Sequence, residues 1–60
     1  MAKTVAPAFG WMLEKGEIFL TDRYVASRLV RKGEGTIEYS EMASGKQIMA
    51  SENAVFMRLK

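Results

Sequence analysis

The sequence predicts a small α+β domain: a mostly antiparallel curled sheet, or small open barrel, of about five short strands with one helix packed on it. Two observations predict this class. A segment with helix-capping signals at both ends covers about residues 22–32, and short segments of alternating apolar and polar residues lie on both sides of it. The 60 residues contain no internal repeat, linker or low-complexity tract, so one domain is expected over residues 9–60.

Residues 1–8 are predicted to form a flexible N-terminal arm, because Pro7 prevents a regular helix and biases the residue before it towards an extended form. The following segment, residues 9–14, fits either a strand or a single helical turn. We favour the strand, because Glu14-Lys15-Gly16 suits a tight hairpin turn with its glycine in the left-handed conformation.

The predicted helix has recognisable start and stop signals. Thr21 can act as its N-cap, and Asp22 places a negative charge at the positive end of the helix dipole. Leu20 and Val25 have the spacing of a hydrophobic staple, and Gly33 can end the helix in the left-handed conformation. A helix this short must pack on a sheet, since it is unstable alone in water.

The remaining strands are predicted from the alternation of apolar and polar residues, and they fall at residues 17–20, 36–39, 46–50 and 54–59. Their inward-facing side chains are predicted to be Ile18, Leu20, Ile37, Tyr39, Val55, Met57 and Leu59. The last two strands suit a hairpin across residues 51–53. The strands beside the helix fit either antiparallel pairing or a parallel right-handed crossover, and the sequence leaves both open.

Composition excludes several kinds of site. The chain has no cysteine and no histidine, which removes disulfides, thiolate metal ligands, the commonest metal ligand and the commonest general base at neutral pH. No spacing of the other reactive side chains suggests a catalytic pair, so we expect no enzyme, no cofactor and no bound metal. The absence of cysteine suits a reducing compartment, so an intracellular, cytoplasmic protein is expected. No apolar run reaches the roughly 20 residues of a membrane span.

Two candidate partner-binding surfaces follow from the predicted elements. The polar face of the helix carries four cations, one tyrosine and no acid: Arg23, Tyr24, Arg28, Arg31 and Lys32. The outward face of the last strand places Phe56 beside Arg58 and Lys60, and Trp11 is a further aromatic candidate. Aromatic residues, arginine and methionine are enriched at the centres of protein interfaces, and the chain has five methionines, although most methionines pack in cores.

These residues lead to two expected functions. A protein partner or self-association is favoured, because a small chain without a catalytic site acts by occupying another surface or by assembling. The alternative is nucleic-acid binding, with the cations on phosphates and an aromatic side chain stacked on a base. The net charge of +2 is too small to favour nucleic acid by itself, and the basic helix face could also be only a solvated surface.

One stretch of the chain resembles a pattern found in small phage-encoded proteins. The run GEIFLTDRYVASRLVRKGEGTIEY, residues 16–39, has a glycine-led apolar strand, Thr-Asp, a helix with Ala and Leu-Val, and then glycine before another strand. The resemblance implies an accessory or virion-associated phage protein, and it assigns no functional residues.

Overall fold

A six-stranded antiparallel sheet makes up the structure, a computed structural model that describes residues 5–59. Its strands are β1 (Val5–Phe9), β2 (Ile18–Leu20), β3 (Ala26–Lys32), β4 (Thr36–Glu41), β5 (Gln47–Ser51) and β6 (Val55–Leu59). They lie in the order β1-β6-β2-β3-β4-β5, and every neighbouring pair is antiparallel. A short 3-10 helix, Gly10–Met12, follows β1. Residues 1–4 of the predicted arm and Lys60 lie outside the described residues.

The predicted α+β class is wrong, because the segment expected to be a helix forms a loop and a strand. No α-helix occurs in residues 5–59. The Thr21 hydroxyl does accept backbone N–H groups, as a helix cap would, from Arg23 at 3.3 Å and Val25 at 3.2 Å. The Thr21 N–H also donates to the Val25 carbonyl oxygen at 3.1 Å, which closes a hairpin loop instead of starting a helix.

Strand β3 places alternate side chains on the inner face of the sheet. Ser27 and Leu29 are buried there, whereas Ala26 and Arg28 are exposed. β3 pairs antiparallel with both β2 and β4, which also excludes the parallel crossover. A bulge at Val30 shifts the register against β4, so the simple alternation does not continue to the end of the strand.

The sheet curls so that its inner face encloses the core. The rings of Tyr39 on β4 and Phe56 on β6 lie 5.5 Å apart, centroid to centroid, and the Phe19 ring on β2 lies within the same cluster. In a flat sheet β4 and β6 would be about 14 Å apart, because β2 and β3 lie between them and the separation is three strand spacings. The curled sheet buries one apolar cluster: Ala8, Leu13, Phe19, Leu29, Ile37, Tyr39 and Phe56.

The end of β1 is joined to the β5–β6 turn. The Gly10 N–H donates to the Ala54 carbonyl oxygen at 2.8 Å, and the Trp11 N–H donates to the Glu52 carbonyl oxygen at 3.0 Å. This close approach requires glycine, because a Cβ atom on Gly10 would lie 2.8 Å from Ile37 Cδ1 and 3.0 Å from the Glu52 carbonyl oxygen. The end of β1, one edge strand, therefore meets the turn that follows β5, the other edge strand.

Two predicted strands are present but face the other way. Phe19 is buried on β2, whereas Ile18 and Leu20, predicted to face inward, alternate with it and lie on the outer face. Phe56 is only 5% exposed, so its predicted outward orientation is wrong, because its ring completes the aromatic cluster. The β6 residues predicted to face inward alternate with Phe56 on the outer face: Val55, Met57 and Leu59. On β4, Ile37 and Tyr39 are buried as predicted.

Other predictions differ in pairing. The predicted hairpin across residues 51–53 is wrong, since β6 lies between β1 and β2 while β5 forms the opposite edge. Residues 5–8 of the predicted arm belong to β1, and residues 10–12 form the 3-10 helix instead of the favoured strand. The tight turn predicted at residues 14–16 is present, since Gly16 has a φ of +86° and the Glu17 N–H donates to the Glu14 carbonyl oxygen at 2.9 Å, but it does not close a hairpin, because β2 pairs with β3 and β6.

Candidate protein-interaction surface

The outer face of β1, β6 and β2 is entirely apolar. We call it the outer apolar face, and it consists of Val5, Pro7, Phe9, Ile18, Leu20, Val55, Met57 and Leu59. The register places Phe9 opposite Val55 and Leu20 opposite Met57, so the three neighbouring strands present one continuous surface. Phe9 and Val55 are 43% and 51% exposed, although both are large apolar side chains.

These strands also carry apolar residues on their inner face, where Ala8, Phe19 and Phe56 belong to the core, and Arg58 at the end of β6 is the one charged inner residue of the three strands. An antiparallel sheet with one face in water normally alternates apolar and polar side chains. The other half of the outer surface follows that rule: Arg28 lies opposite Ser40, and Arg31 lies opposite Glu38. The outer surface is therefore divided into a polar half on β3 and β4 and an apolar half on β1, β6 and β2.

Trp11 extends the outer apolar face at one corner. Its ring stacks on Phe9 with centroids 4.6 Å apart and planes within 1° of parallel, yet Trp11 remains 46% exposed. The Trp11 N–H bond to Glu52 fixes the backbone, and Lys32 Nζ donates to the Trp11 carbonyl oxygen at 2.9 Å. Trp11, a predicted partner-binding residue, thus lies beside an exposed apolar surface that the sequence prediction did not include.

The five residues of the predicted basic helix face are not brought together, because no helix exists to align them. Arg23 and Tyr24 lie in the β2–β3 loop, where Tyr24 is 73% exposed and has a φ of +62°. Arg28 is on the outer face of β3. Arg31 pairs through its Nε with Glu38 Oε1 at 2.7 Å, and Lys32 is the residue that bonds to the Trp11 carbonyl oxygen.

Arg58 forms an ion pair that ties β6 to the turn before β2. Its Nε donates to Glu17 Oε2 at 2.7 Å, and its Nη2 donates to Glu17 Oε1 at 3.1 Å and to the Met12 carbonyl oxygen at 3.2 Å. The Glu14 N–H donates to the same carboxylate at 2.9 Å. Hydrogen bonds from Arg58 lower the pKa of Glu17 against the opposing effect of burial. Arg58, a predicted partner-binding residue, is therefore held by Glu17 and by the Met12 carbonyl oxygen within the fold.

A cavity of about 290 Å³ lies at the β2–β3 loop and is also lined by Tyr39, Glu41 and Ile48. Burial raises the pKa of the Tyr39 hydroxyl, and the nearby carboxylates of Glu41 and Asp22 add to this effect. The cavity is at the lower end of the volumes typical of small-molecule sites. Its lining combines both signs of charge with a few apolar atoms and identifies no particular ligand.

Comparison with protein-family models, with curated proteins and with solved structures found no match to this chain. The phage-like pattern over residues 16–39 includes a helix that the structure does not have, so it lends no support to a function. Within residues 5–59, no group of three or more acidic side chains is placed to hold a metal ion. The same residues include no helix of the length and apolar character needed to cross a bilayer.

The outer apolar face was missed by the sequence prediction, although the sequence contains a signal for it. Ile18-Phe19-Leu20 and Val55-Phe56-Met57 are each three consecutive apolar residues, which is typical of strands covered on both faces. The methionines give a second signal. Core packing was the favoured interpretation, but Met12, Met42 and Met49 are exposed.

Proposed function

We propose that this chain is a non-catalytic, self-assembling module that packs its outer apolar face against the same face of a second copy. The observation that supports this function is the wholly apolar outer face of β1, β6 and β2, three strands whose inner face already supplies Ala8, Phe19 and Phe56 to the core. Stable domains are built from two packed layers, and this single curled sheet leaves half of its outer surface without a second layer. A second copy supplies that layer as a sandwich, with the two sheets about 10 Å apart.

Size and charge both suit this arrangement. Three strands of up to five residues give a patch of about 14 by 17 Å, or roughly 240 Å², which is somewhat smaller than the largest apolar patches of ordinary monomers. The patch is well below the roughly 800 Å² per partner of a standard stable interface, so we expect weak association that needs high protein concentration. The net charge of +2 imposes little repulsion between copies. A core of seven buried apolar residues also stands to gain stability from assembly.

A charge placed in the outer apolar face tests the proposal. Val55→Lys introduces an ammonium group opposite Phe9, where a second sheet would bury it. We expect this variant to have a lower average mass than the wild type at equal concentration in sedimentation equilibrium. Ala43→Lys is the matched control, because it adds the same charge at an exposed position in the β4–β5 loop.

The average masses of the three proteins distinguish self-assembly from its absence. The proposal predicts that wild type and Ala43→Lys associate alike, with little change as salt rises, because burial of apolar surface is not screened. A wild-type protein that stays monomeric at hundreds of micromolar would overturn the proposal and leave the face for a different protein. Equal average masses for Val55→Lys and wild type would also overturn it.

Nucleic-acid binding receives less support from the positions of the cations. Arg31 is paired with Glu38, and Arg58 is paired with Glu17. Arg23 and Arg28 lie on different elements, so they do not form the continuous basic stripe that tracks a phosphate backbone. Adding mixed oligonucleotides to the sedimentation experiment at low salt tests this alternative, since a bound oligonucleotide would raise the mass and be released as salt increases.

A further inference from the structure

The two edges of the sheet differ in how well they are protected against pairing with another strand. The Gly10 N–H bond to Ala54 sets the hydrogen-bond alternation between β1 and β6, so that Ala8 and Ala6 bond to β6. The backbone nitrogen of Pro7 therefore faces the open edge, and proline has no N–H to donate. Edge strands commonly use proline in this way to prevent further pairing.

The β5 edge has no such protection. The Glu41 N–H bonds to the Lys46 carbonyl oxygen at 2.9 Å, and the Glu52 N–H bonds to the Gly35 carbonyl oxygen at 3.1 Å. These two bonds set an alternation in which Ile48 and Ala50 bond to β4. The backbone N–H groups of the other β5 residues face the open edge: Gln47, Met49 and Ser51. The strand has no proline and no charge, and Met49 is 63% exposed.

We infer that β5 pairs antiparallel with β5 of a second copy, across a two-fold axis at Met49. In this register Met49 lies opposite itself, Gln47 lies opposite Ser51, and Ile48 lies opposite Ala50. The polarity of the strand is the same in both directions, polar-apolar-Met-apolar-polar, so that polar residues meet polar residues and apolar residues meet apolar residues. The Ser51 carbonyl oxygen already accepts from the Ala54 N–H, and the other open-edge groups are free to bond across the axis.

Charge complementarity also favours a second copy as the occupant. Lys46 and Glu52 flank β5, each three residues from Met49, and the two-fold register places Lys46 opposite Glu52 of the second copy on both sides of the axis. Neither residue takes part in the two ion pairs formed within residues 5–59. Ile48 and Ala50 are only half-buried against the core, and the added strand would cover the open side of the inner face.

This edge pairing is independent of the outer apolar face and adds a second two-fold interface. Each interface alone gives a closed dimer, whereas the two together join copies into a larger assembly. The edge pairing would merge two six-stranded sheets into one continuous sheet, and the outer apolar face would stack such sheets in pairs.

Opposite charges at position 49 test the register directly. In the Val55→Lys background, which removes the outer-face contact, Met49→Lys and Met49→Glu each place two like charges opposite one another across the axis. We expect each variant alone to raise the dimer dissociation constant about tenfold or more. An equal mixture of the two variants places Lys opposite Glu, and we expect it to restore dimers with an affinity close to that of the parent.

Both variants should remain folded, because the Met49 side chain is exposed and its N–H is not used within the sheet. Circular dichroism checks the fold, and Met49→Thr is the neutral control that should keep the dimer. Dimers that survive both charged variants, or a mixture that stays monomeric, would overturn the edge pairing. A Val55→Lys protein that is monomeric before position 49 is changed would overturn it too, while leaving the outer-face proposal intact.

Discussion

At the scale of single residues, Tyr24 has a conformation that glycine adopts more readily. Its φ of +62° places it in the left-handed region at the end of the β2–β3 loop, and its N–H donates to the Thr21 carbonyl oxygen at 2.9 Å. A type I turn followed by a left-handed residue is a common three-residue hairpin loop, and that last position is normally glycine or asparagine. Since Tyr24 is largely exposed, packing does not explain the choice of tyrosine.

Tyr24→Gly should therefore stabilise the monomer. Relief of the left-handed strain is worth about 1–2 kcal/mol, and the added freedom of the unfolded chain opposes it by about 0.4–1 kcal/mol. We expect a net gain of about 0.5–1 kcal/mol, or a rise of a few degrees in Tm, measured by thermal unfolding at low concentration. Arg23→Gly is the control, because Arg23 does not have a positive φ and glycine there should lower Tm. Equal losses in both variants would show that Tyr24 is not strained.

At the scale of elements, the alternation of apolar residues predicts some strands and misleads for others. β4 was predicted correctly because Ile37 and Tyr39 alternate with residues that are more polar, and only one face is apolar. β2 is apolar on both faces, and β6 has apolar residues on both faces with Arg58 on the inner one, so alternation could not determine which side faces the core, and both were predicted in the wrong orientation. The same two-sided apolar character defines the outer apolar face.

The helix prediction failed because a bulge gives β3 a helix-like pattern. Val25, Ala26, Leu29 and Val30 recur at the spacing of one helix face, whereas a regular strand would alternate without interruption. The bulge at Val30 interrupts that alternation. The Thr21 capping signal did not resolve the ambiguity, because its hydroxyl satisfies backbone N–H groups equally well in a hairpin loop. The order in which the strands pair, such as β6 between β1 and β2, cannot be predicted from any local sequence pattern.

The ion pair between Glu17 and Arg58 links two elements and should make stability depend on pH. The pKa of Glu17 is lowered in the folded protein from its ordinary value of 4.5, mainly by hydrogen bonds from Arg58. A carboxylate whose pKa is lowered by folding stabilises the fold above its unfolded pKa, and this contribution is lost as pH falls through the folded pKa. The stabilisation is thus present at neutral pH and disappears below about pH 4.5.

Glu17→Gln should lower Tm by a few degrees at pH 7, and the gap between variant and wild type should narrow as the pH is lowered from 5 to 3. Thermal unfolding at several pH values measures both effects. Glu34→Gln is the control, because Glu34 is an exposed turn residue outside both ion pairs of residues 5–59. A gap of constant size at every pH would mean that the carboxylate charge of Glu17 contributes nothing.

At the scale of the whole molecule, the fold is a single sheet that closes its core by curling. The curl gives one enclosed aromatic cluster but leaves the outer apolar face and the β5 edge in contact with water. On a domain with so small a core, the two proposed interfaces would link the free energy of folding to that of assembly.

That link predicts a melting temperature that depends on protein concentration. Assembly through the outer apolar face and the β5 edge stabilises only the folded chain, so mass action should raise the Tm of the wild type by several degrees over a hundredfold increase in concentration. Val55→Lys and Met49→Lys should each weaken this dependence, because each removes one interface, and the double variant should show none. Scanning calorimetry at matched concentrations measures the slopes, with Ala43→Lys as the control. A wild-type Tm that does not change with concentration would show that the chain is stable as a monomer, and both proposed interfaces would then fail together.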